Sequence, residues 1–185
     1  MKRLNKKHLQ VIETPAEFLK KKITSEVKFP ICDNLKELML MTGETLKTGN
    51  LGYFSGKSLG LSASQVGIDY RFFVMRGQLN EANRIDYVIN PEIVSRSEET
   101  VENEEGCLSL PGFLARVSRH TSVTVRFQNL RGKLEEKTIS SLAAIVFQHE
   151  FDHLEGILMT DQGPHFLDED YHEWLRNSHA DFLNR

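Results

Sequence analysis

Two histidines stand four residues apart in this chain, at His149 and His153, and Glu150 directly follows the first of them. On an α-helix, residues four apart share one face and lie about 6 Å apart along the axis. Both imidazoles can therefore bind one divalent metal ion from the same side, with the Glu150 carboxylate beside the water that the metal activates. This H-E-x-x-H pattern is typical of metal-dependent hydrolases.

The residues before the histidines predict a helix that is apolar on most sides. Three aliphatic residues continue the histidine stripe toward the N-terminus at helical spacing: Leu142, Ile145 and Val146. The two histidines thus occupy positions at which the pattern favours buried aliphatic side chains. We predict a central helix over about 142–155, with Ser140 or Ser141 as its N-cap and Gly156 as its left-handed exit.

Two imidazoles do not complete a metal site. A catalytic site generally takes three protein ligands and keeps one position open for water. Upstream, Cys107 follows Gly106, and its thiolate would be a good ligand for a soft or borderline ion. The alternative for Cys107 is an inert small apolar residue, which is the role we assign to Cys32. Three downstream histidines are also available as ligands: His165, His172 and His179.

Three segments taken together resemble the peptide deformylase family. They are GLSASQVG at 60–67, EGCLS at 105–109 and QHEFDHLEG at 148–156, and they occur in the family's order. The second and third are highly specific in combination, whereas H-E-x-x-H alone is shared with many zinc peptidases. The resemblance runs from about Leu59 to Asp161. It implies a metal-dependent hydrolase that removes the N-formyl group from the N-terminal formylmethionine of nascent polypeptides and releases formate.

The resemblance also implies a ligand set and catalytic groups. The metal ligands would be Cys107, His149 and His153. The ion would be Fe²⁺, with Ni²⁺, Co²⁺ or Zn²⁺ able to substitute. Glu150 would take a proton from water and deliver it to the leaving amine. The side-chain amide of Gln65 and the backbone N–H of Leu108 would stabilise the negative charge that develops on the formyl oxygen.

Further residues around the site are implied in the same way. Gly60 would bring bare backbone against the substrate. A pocket for the methionine side chain would be formed by Leu59, Leu142, Ile145 and Val146, all of which also suit a hydrophobic core. Ligand orientation and charge balance would come from Glu105, Arg119 and Asp152. One departure from the family pattern is Ser58, which stands where a glycine is usual.

Two other functions stay open on the sequence alone. A zinc peptidase would take its third ligand from His165 or another C-terminal residue and would not need Cys107. A non-catalytic metal-bearing or peptide-binding module is the second alternative. Its signature would be the loss of Glu150 or Gln65, and both residues are present.

Composition limits the possible number of domains, the partners and the cellular location of the protein. A chain of 185 residues with 39% hydrophobic content predicts one catalytic domain over 1–185. The net charge of -3 argues against nucleic acid as a partner. No apolar run approaches the ~20 residues of a membrane span. Two distant cysteines fit a reducing compartment. We expect a cytoplasmic protein, with an organelle as the alternative, that binds N-formylmethionyl peptides and nascent chains and can associate with the ribosome.

Patterning predicts an α+β fold, and the resemblance implies that antiparallel strands wrap around the metal-binding helix. A capping box at 14–17 predicts a first N-terminal helix, and Asp33 predicts the start of a second that ends at Gly49. A C-terminal helix is predicted over 168–182. The predicted strands are Arg71–Arg76, Tyr87–Val94, Thr121–Gln128 and Lys133–Ile139, with the last two forming a hairpin.

Overall fold

A computed structural model describes residues 8–48, 58–77, 79, 84–173 and 176. Its two long helices are α1 (Asp33–Thr48) and α2 (Ser141–Leu154). The strands are β1 (Gly60–Ser62), β2 (Phe72–Arg76), β3 (Ile85–Arg96), β4 (Thr100–Gly106), β5 (Phe113–His120), β6 (Ser122–Gln128), β7 (Leu134–Ser140) and β8 (His165–Leu167). The predicted α+β class is confirmed.

Two antiparallel sheets enclose α2. The five-stranded sheet has the order β1-β2-β3-β6-β7, and the three-stranded sheet has the order β4-β5-β8. Helix α2 contacts β1, β2, β6 and β7 of the first sheet and β5 of the second. β1 and β4 each pair with a single strand among the described residues, so each is an edge strand of its sheet. Within these residues, no helix has the length and apolar content needed to cross a membrane.

The largest core lies between the five-stranded sheet and α2. Phe73 of β2 meets Phe147 of α2 edge to face, with ring centroids 5.0 Å apart. Val125 and Phe127 extend the same core along β6, where buried and half-buried residues alternate as the pleat requires. Helix α1 covers the other face of the sheet, and its Met39 packs in a second cluster of buried apolar residues. Both faces of the sheet are therefore covered, and the apolar contacts on one of them hold α2 in position.

Helix α2 begins and ends close to the predicted positions. Ser140 is its N-cap, but the side chain makes no capping hydrogen bond. Ser141 has a φ of +56°, and its N–H donates to the Thr121 carbonyl at 3.1 Å. Gly156 leaves the helix with a φ of +74°, and a Cβ there would lie 2.4 Å from the Lys20 carbonyl oxygen. The predicted left-handed glycine exit is confirmed.

The first N-terminal helix starts later than predicted and is shorter. The structure has only a 3-10 turn at Glu17–Lys20, with Ala16 as the N-cap and no side-chain capping bond. The residues before this turn form hydrogen bonds with distant parts of the chain. Ile12 N–H donates to the Gln65 carbonyl at 2.7 Å, and Thr14 N–H donates to the Ser109 carbonyl at 2.9 Å. These long-range bonds hold residues 12–14 extended, directly before the position at which the helix was predicted to begin.

Other boundaries follow the predictions in part. The start of α1 at Asp33 is confirmed, while its predicted stop at Gly49 lies outside the described residues. Near the C-terminus, residues 169–173 and 176 are helical, and Asp168 Oδ1 accepts a hydrogen bond from Tyr171 N at 3.0 Å. The remainder of the predicted helix to 182 lies outside the described residues. Strands β2, β3, β6 and β7 were predicted, whereas β1, β4, β5 and β8 were not.

Candidate metal centre

The three predicted ligands lie together in the folded chain. His149 and His153 project from one face of α2, with ring centroids 5.0 Å apart. Cys107 comes directly after β4, and its Sγ lies 3.2 Å from His153 Nε2. One ligand atom from each of the three residues can be chosen so that all lie within 4.8 Å of one another. In the part of the chain that the structure describes, no other group of three such side chains is found, and neither His165 nor His172 joins this one.

The Glu105 carboxylate orients the first imidazole. Its Oε2 lies 2.8 Å from His149 Nδ1, which places the ring proton on Nδ1 and leaves the lone pair of Nε2 for a metal. Arg119 donates to both oxygens of the same carboxylate, at 2.8 and 2.9 Å. Burial alone would raise the pKa of Glu105, but the hydrogen bonds from Arg119 and His149 bring that pKa down to about 2. The carboxylate is therefore a permanent negative charge behind the ligand.

Arg119 links this carboxylate to a second one. The arginine is buried, and its Nη1 donates to Asp152 Oδ2, the same oxygen that accepts from Gln162 Nε2 at 2.6 Å. A buried guanidinium needs such partners because leaving it unpaired costs several kcal/mol. The structure thus brings together the three residues predicted around the ligands, Glu105, Arg119 and Asp152. Gln162 was missed, since nothing in its local sequence marks it.

The surroundings shift the pKa values of the two imidazoles in opposite directions. Burial lowers the pKa of His153 well below its usual value, so the ring is neutral and can act as a ligand. Burial also acts to lower the pKa of His149, but hydrogen bonds with Cys107 and Glu105 raise it overall. A metal cation bound at His149 would take the place of the proton that the raised pKa favours. One sulfur and two imidazole nitrogens form a donor set that fits a borderline divalent ion.

Glu150 lies one position after the first ligand and is buried, with 3% of its surface exposed. Its Oε2 has no hydrogen-bond partner among the described residues. Burial raises the pKa of Glu150 to about 7; the charge of His149 acts against this rise and that of Glu105 adds to it. A carboxyl group with this pKa can both accept and release a proton near neutral pH.

The orientation of the Gln65 side chain is fixed at both ends. Its turn, Ala63–Val66, directly follows β1, and the Ser62 N–H donates to Gln65 Oε1 at 2.9 Å. The NH2 group donates to Ser109 Oγ at 3.2 Å and lies 3.4 Å from Cys107 Sγ. The Ser62 bond identifies the oxygen end of the amide, so the donor end faces the metal centre. The contribution of Ser109 was not predicted.

A cavity of about 350 Å³ opens beside these groups. Every residue predicted to bind substrate lines it: Leu59, Gly60, Leu142, Ile145 and Val146. Leu142 is 49% exposed and so forms part of the rim, whereas Val146 also belongs to the main core. Leu108 and Glu150 line the same cavity, as do the unpredicted Asn103 and Glu104. Ser58 lies on its wall, as expected for a side chain that replaces glycine there.

Comparison with known proteins identifies the family. A profile of the Polypeptide deformylase family matches residues 8–167 of the chain. The chain belongs to the polypeptide deformylase family. The peptide deformylase of Thermotoga sp. strain RQ2 is 42% identical over 144 residues, which is 78% of this chain and 80% of that protein.

Solved structures agree with the profile. The crystal structure of peptide deformylase from Thermotoga maritima matches with a TM-score of 0.73 at 37% identity and covers 85% of this chain and 98% of that one. The Met-Ala-Ser-bound class I type b peptide deformylase of Acinetobacter baumannii gives a TM-score of 0.72 at 29% identity, with 84% and 98% coverage.

Family membership establishes the reaction class. The chain is a metal-dependent hydrolase that removes the N-formyl group from nascent peptides, as the sequence predicted. A zinc peptidase with a C-terminal third ligand is not favoured, because the metal-binding group among the described residues contains Cys107. Of the three downstream histidines considered, His179 lies outside the described residues.

Proposed function

We propose that Cys107, His149 and His153 together bind one Fe²⁺ ion, for which Ni²⁺, Co²⁺ or Zn²⁺ can substitute, and that Glu150 moves the proton in formamide hydrolysis. The observation that carries this proposal is the approach of three donor atoms to within 4.8 Å in the wall of a cavity that Glu150 also lines. When bound, a divalent ion supplies Lewis-acid polarisation and lowers the pKa of water to about 7. The choice of Fe²⁺ rests on the family resemblance, because this donor set suits several ions.

Glu150 is the proton carrier in this proposal. Its carboxylate accepts a proton from the water that attacks the formyl carbon, and the C–N bond then breaks as the same proton passes to the amine nitrogen. The products are formate and a free N-terminal amine. The pKa of about 7 that burial gives Glu150 favours both steps, and the charge of a bound cation acts to lower that pKa.

Gln65 and Leu108 stabilise the oxyanion. Attack on the formamide carbonyl places negative charge on its oxygen, and donors fixed before the reaction stabilise that charge without reorganising. The Gln65 amide is held with its NH2 group toward the metal centre, and Leu108 follows the ligand Cys107 on the cavity wall. Removing one such donor typically raises the barrier by about 3 kcal/mol.

The substrate binds as an extended strand between two sheet edges. β1 and β4 are edge strands, and both contribute residues to the cavity, Gly60 from one and Gly106 from the other. Edge strands offer unpaired N–H and C=O groups to an added peptide. The methionine side chain then contacts the aliphatic wall, which consists of Leu59, Leu142, Ile145 and Val146. The related Acinetobacter baumannii structure contains bound Met-Ala-Ser, which supports a short peptide as the ligand.

The charged residues behind the ligands keep them in place. Glu105 fixes the ring of His149, and Arg119 connects Glu105 to Asp152 on α2. Because metal-binding histidines usually need such a partner on the second ring nitrogen, these three residues act on metal affinity and geometry.

The domain and the cellular location of the reaction are also inferred. We infer that residues 1–185 form one catalytic domain that acts in the cytoplasm on N-formylmethionyl nascent chains, close to the ribosome. The family resemblance supports this setting. Co-sedimentation with translating ribosomes tests the last point, and recovery only in the ribosome-free fraction would contradict it.

The test of the reaction uses anaerobically prepared, Fe²⁺-loaded enzyme and formyl-Met-Ala. We expect formate release in the wild type and its loss in Glu150→Gln, which keeps the size of the side chain. Elemental analysis should show that Glu150→Gln retains the metal. Formate release that persists in this variant would reject Glu150 as the proton carrier, and peptide binding without any release in the wild type would favour the non-catalytic module.

A second variant tests the ligand set. Cys107→Ala should lose the metal and the activity together. A zinc peptidase with a C-terminal ligand would retain its metal in Cys107→Ala, so elemental analysis of this one protein separates the two functions.

A further inference from the structure

Gly60 lies directly against the side chain of Glu150. A Cβ built on Gly60 would stand 2.3 Å from Glu150 Oε1, 2.6 Å from Cγ and 2.7 Å from the carboxyl carbon. Cβ atoms essentially never approach other heavy atoms to less than 3.0 Å. The conflict extends from the carboxylate back to Cγ, so a rotation of the terminal group alone does not relieve it.

The backbone at Gly60 is itself rigid and ordinary. Gly60 pairs with Met75 across β1 and β2, and the flanking Leu59 carbonyl accepts a hydrogen bond from Arg76 N at 2.8 Å. Its φ does not lie in the left-handed region, which five other glycines adopt among the described residues. Alanine would therefore fit the backbone of β1, and what Gly60 provides at this position is space rather than conformational freedom.

Little else determines where the Glu150 carboxylate lies. Its Oε2 is buried and has no hydrogen-bond partner among the described residues. An oxygen without such a partner leaves the position of the carboxylate to be set largely by packing. Helix α2 and strand β1 contact each other directly, so the strand forms one wall of the space that holds the carboxylate.

We propose that Gly60 is a positioning residue for Glu150: the missing side chain on β1 leaves the volume in which the carboxylate reaches the cavity. This role is separate from any contact between the Gly60 backbone and the substrate. It rests on the proposed function, in which Glu150 moves the proton, and it explains why this position requires glycine even before a peptide binds.

Gly106 provides a matched comparison. It also lines the cavity, at the end of β4, but a Cβ there would meet only Leu114 Cδ2 at 3.5 Å, which is ordinary van der Waals contact. Gly106→Ala thus adds the same methyl group to the same cavity without touching Glu150. Any decrease in Tm that Gly106→Ala causes should be independent of the residue at position 150.

The kinetic experiment measures Gly60→Ala on formyl-Met-Ala with the Fe²⁺-loaded enzyme. We expect kcat to fall by about 100-fold, the lower part of the range for losing a proton-transfer group, while KM changes less than about threefold. Metal content should equal that of the wild type. A rise in KM with kcat unchanged would overturn the proposal, because it would show that Gly60 acts only through the substrate.

A double-mutant cycle on thermal unfolding of the metal-loaded enzyme tests the contact without relying on activity. Gly60→Ala should lower Tm by about 4–8 °C in the wild-type background, as expected for overpacking in a chain of this size. In the Glu150→Ala background the same change should lower Tm by less than about 1–2 °C, because the opposing atoms are gone. Gly106→Ala should cost the same in both backgrounds.

The outcomes separate the two proposals. Equal Tm losses from Gly60→Ala in both backgrounds would overturn the positioning role, even if Glu150 is catalytic. Full activity in Glu150→Ala would instead reject the proposed function, while the cycle would still report the contact. If Gly60→Ala alone fails to fold, recovery of folding in the double variant supports the proposal, and failure of the double variant contradicts it.

Discussion

The two sheets meet the metal-binding helix with different kinds of residue. The five-stranded sheet presents Phe73, Val125 and Phe127, which pack into an apolar core against α2. The three-stranded sheet presents Glu105 and Arg119, both buried, in a network of charged hydrogen bonds that reaches the ligands. The five-stranded sheet therefore determines the position of α2. The three-stranded sheet determines the orientation and charge environment of the side chains that α2 carries.

This difference predicts that substitutions in the two sheets cause different defects. Damage to the five-stranded sheet should reduce the free energy of unfolding and leave the metal centre of the folded molecules intact. Damage to the three-stranded sheet should change metal affinity and catalysis as well, because its side chains touch the ligands. β1 has both roles, since Gly60 belongs to the larger sheet and lies against Glu150.

The largest effect is expected from Glu105→Gln. Loss of this charge leaves Arg119 with an incomplete set of buried partners, which should cost about 3–5 kcal/mol of unfolding free energy. Metal affinity should fall by about 10–100-fold, because His149 loses the carboxylate that orients it. Denaturant unfolding and competitive metal titration measure the two effects.

The neighbouring residue supplies the control. Glu104 pairs with Arg116 at 3.1 Å, but both side chains are more than half exposed, so Glu104→Gln should change the unfolding free energy by less than about 1 kcal/mol. Similar losses of stability in Glu104→Gln and Glu105→Gln would contradict the distinction between the buried network and the surface pair.

Phe127→Ala tests the opposite side of the comparison. Phe127 is 2% exposed on β6, and its truncation should lower the unfolding free energy by about 3–5 kcal/mol. The fraction that remains folded should keep its metal stoichiometry and its kcat. Loss of metal from folded Phe127→Ala would show that the five-stranded sheet does more than support the helix.

A pH-dependent effect follows from the buried Glu150. The pKa of this group is about 7 in the folded chain and near 4.5 in the unfolded chain, so the unfolded state releases its proton first as pH rises. Its presence therefore destabilises metal-free protein progressively between pH 4.5 and 7, by an eventual ~3 kcal/mol. Glu150→Gln should remove this slope. Urea unfolding of the metal-free proteins at pH 5 and pH 8 measures it, and parallel pH profiles for the two would contradict the burial effect.

The smallest expected effect is at the junction of β7 and α2. Ser141 has a φ of +56°, a conformation that glycine adopts without the penalty a side chain incurs. Ser141→Gly should raise Tm by about 1–3 °C, which corresponds to roughly 0.5–1 kcal/mol. Ser140→Gly is the control, because Ser140 has an extended backbone and gains nothing from glycine. Equal shifts in the two variants would rule out relief of strain at Ser141.

The same division explains which strands the sequence could predict. β2, β3 and β6 contain apolar residues at strand spacing and were found by pattern, whereas β7 was predicted as the hairpin partner of β6. β4 has the sequence TVENEEG, in which Glu105 alone is buried, so its composition resembles a loop. In β5 the inward positions are Ala115, Val117 and Arg119. The arginine breaks the apolar alternation because its partner is a carboxylate from the neighbouring strand.

The site shows a similar limit. The spacing of His149 and His153 on one helix was sufficient to predict that they share an ion, because helix geometry is local. Cys107 lies 42 residues before His149, and residue types alone left it in competition with three histidines; the family resemblance favoured it. The partners Ser109 and Gln162 follow from tertiary contacts that no local pattern encodes.

The extended segment that contains Ile12 and Thr14 connects two loops beside the metal centre. The main-chain N–H of Ile12 donates to the carbonyl of Gln65, and that of Thr14 donates to the carbonyl of Ser109, two residues after Cys107. Cleavage of the chain between Ile12 and Thr14 would break the covalent link between the two hydrogen-bonded residues and leave every metal ligand in place. Two loops that are distant in the chain, around Gln65 and around Ser109, are thus held by the same segment. Limited proteolysis of that segment would loosen both loops without removing a metal ligand or Glu150.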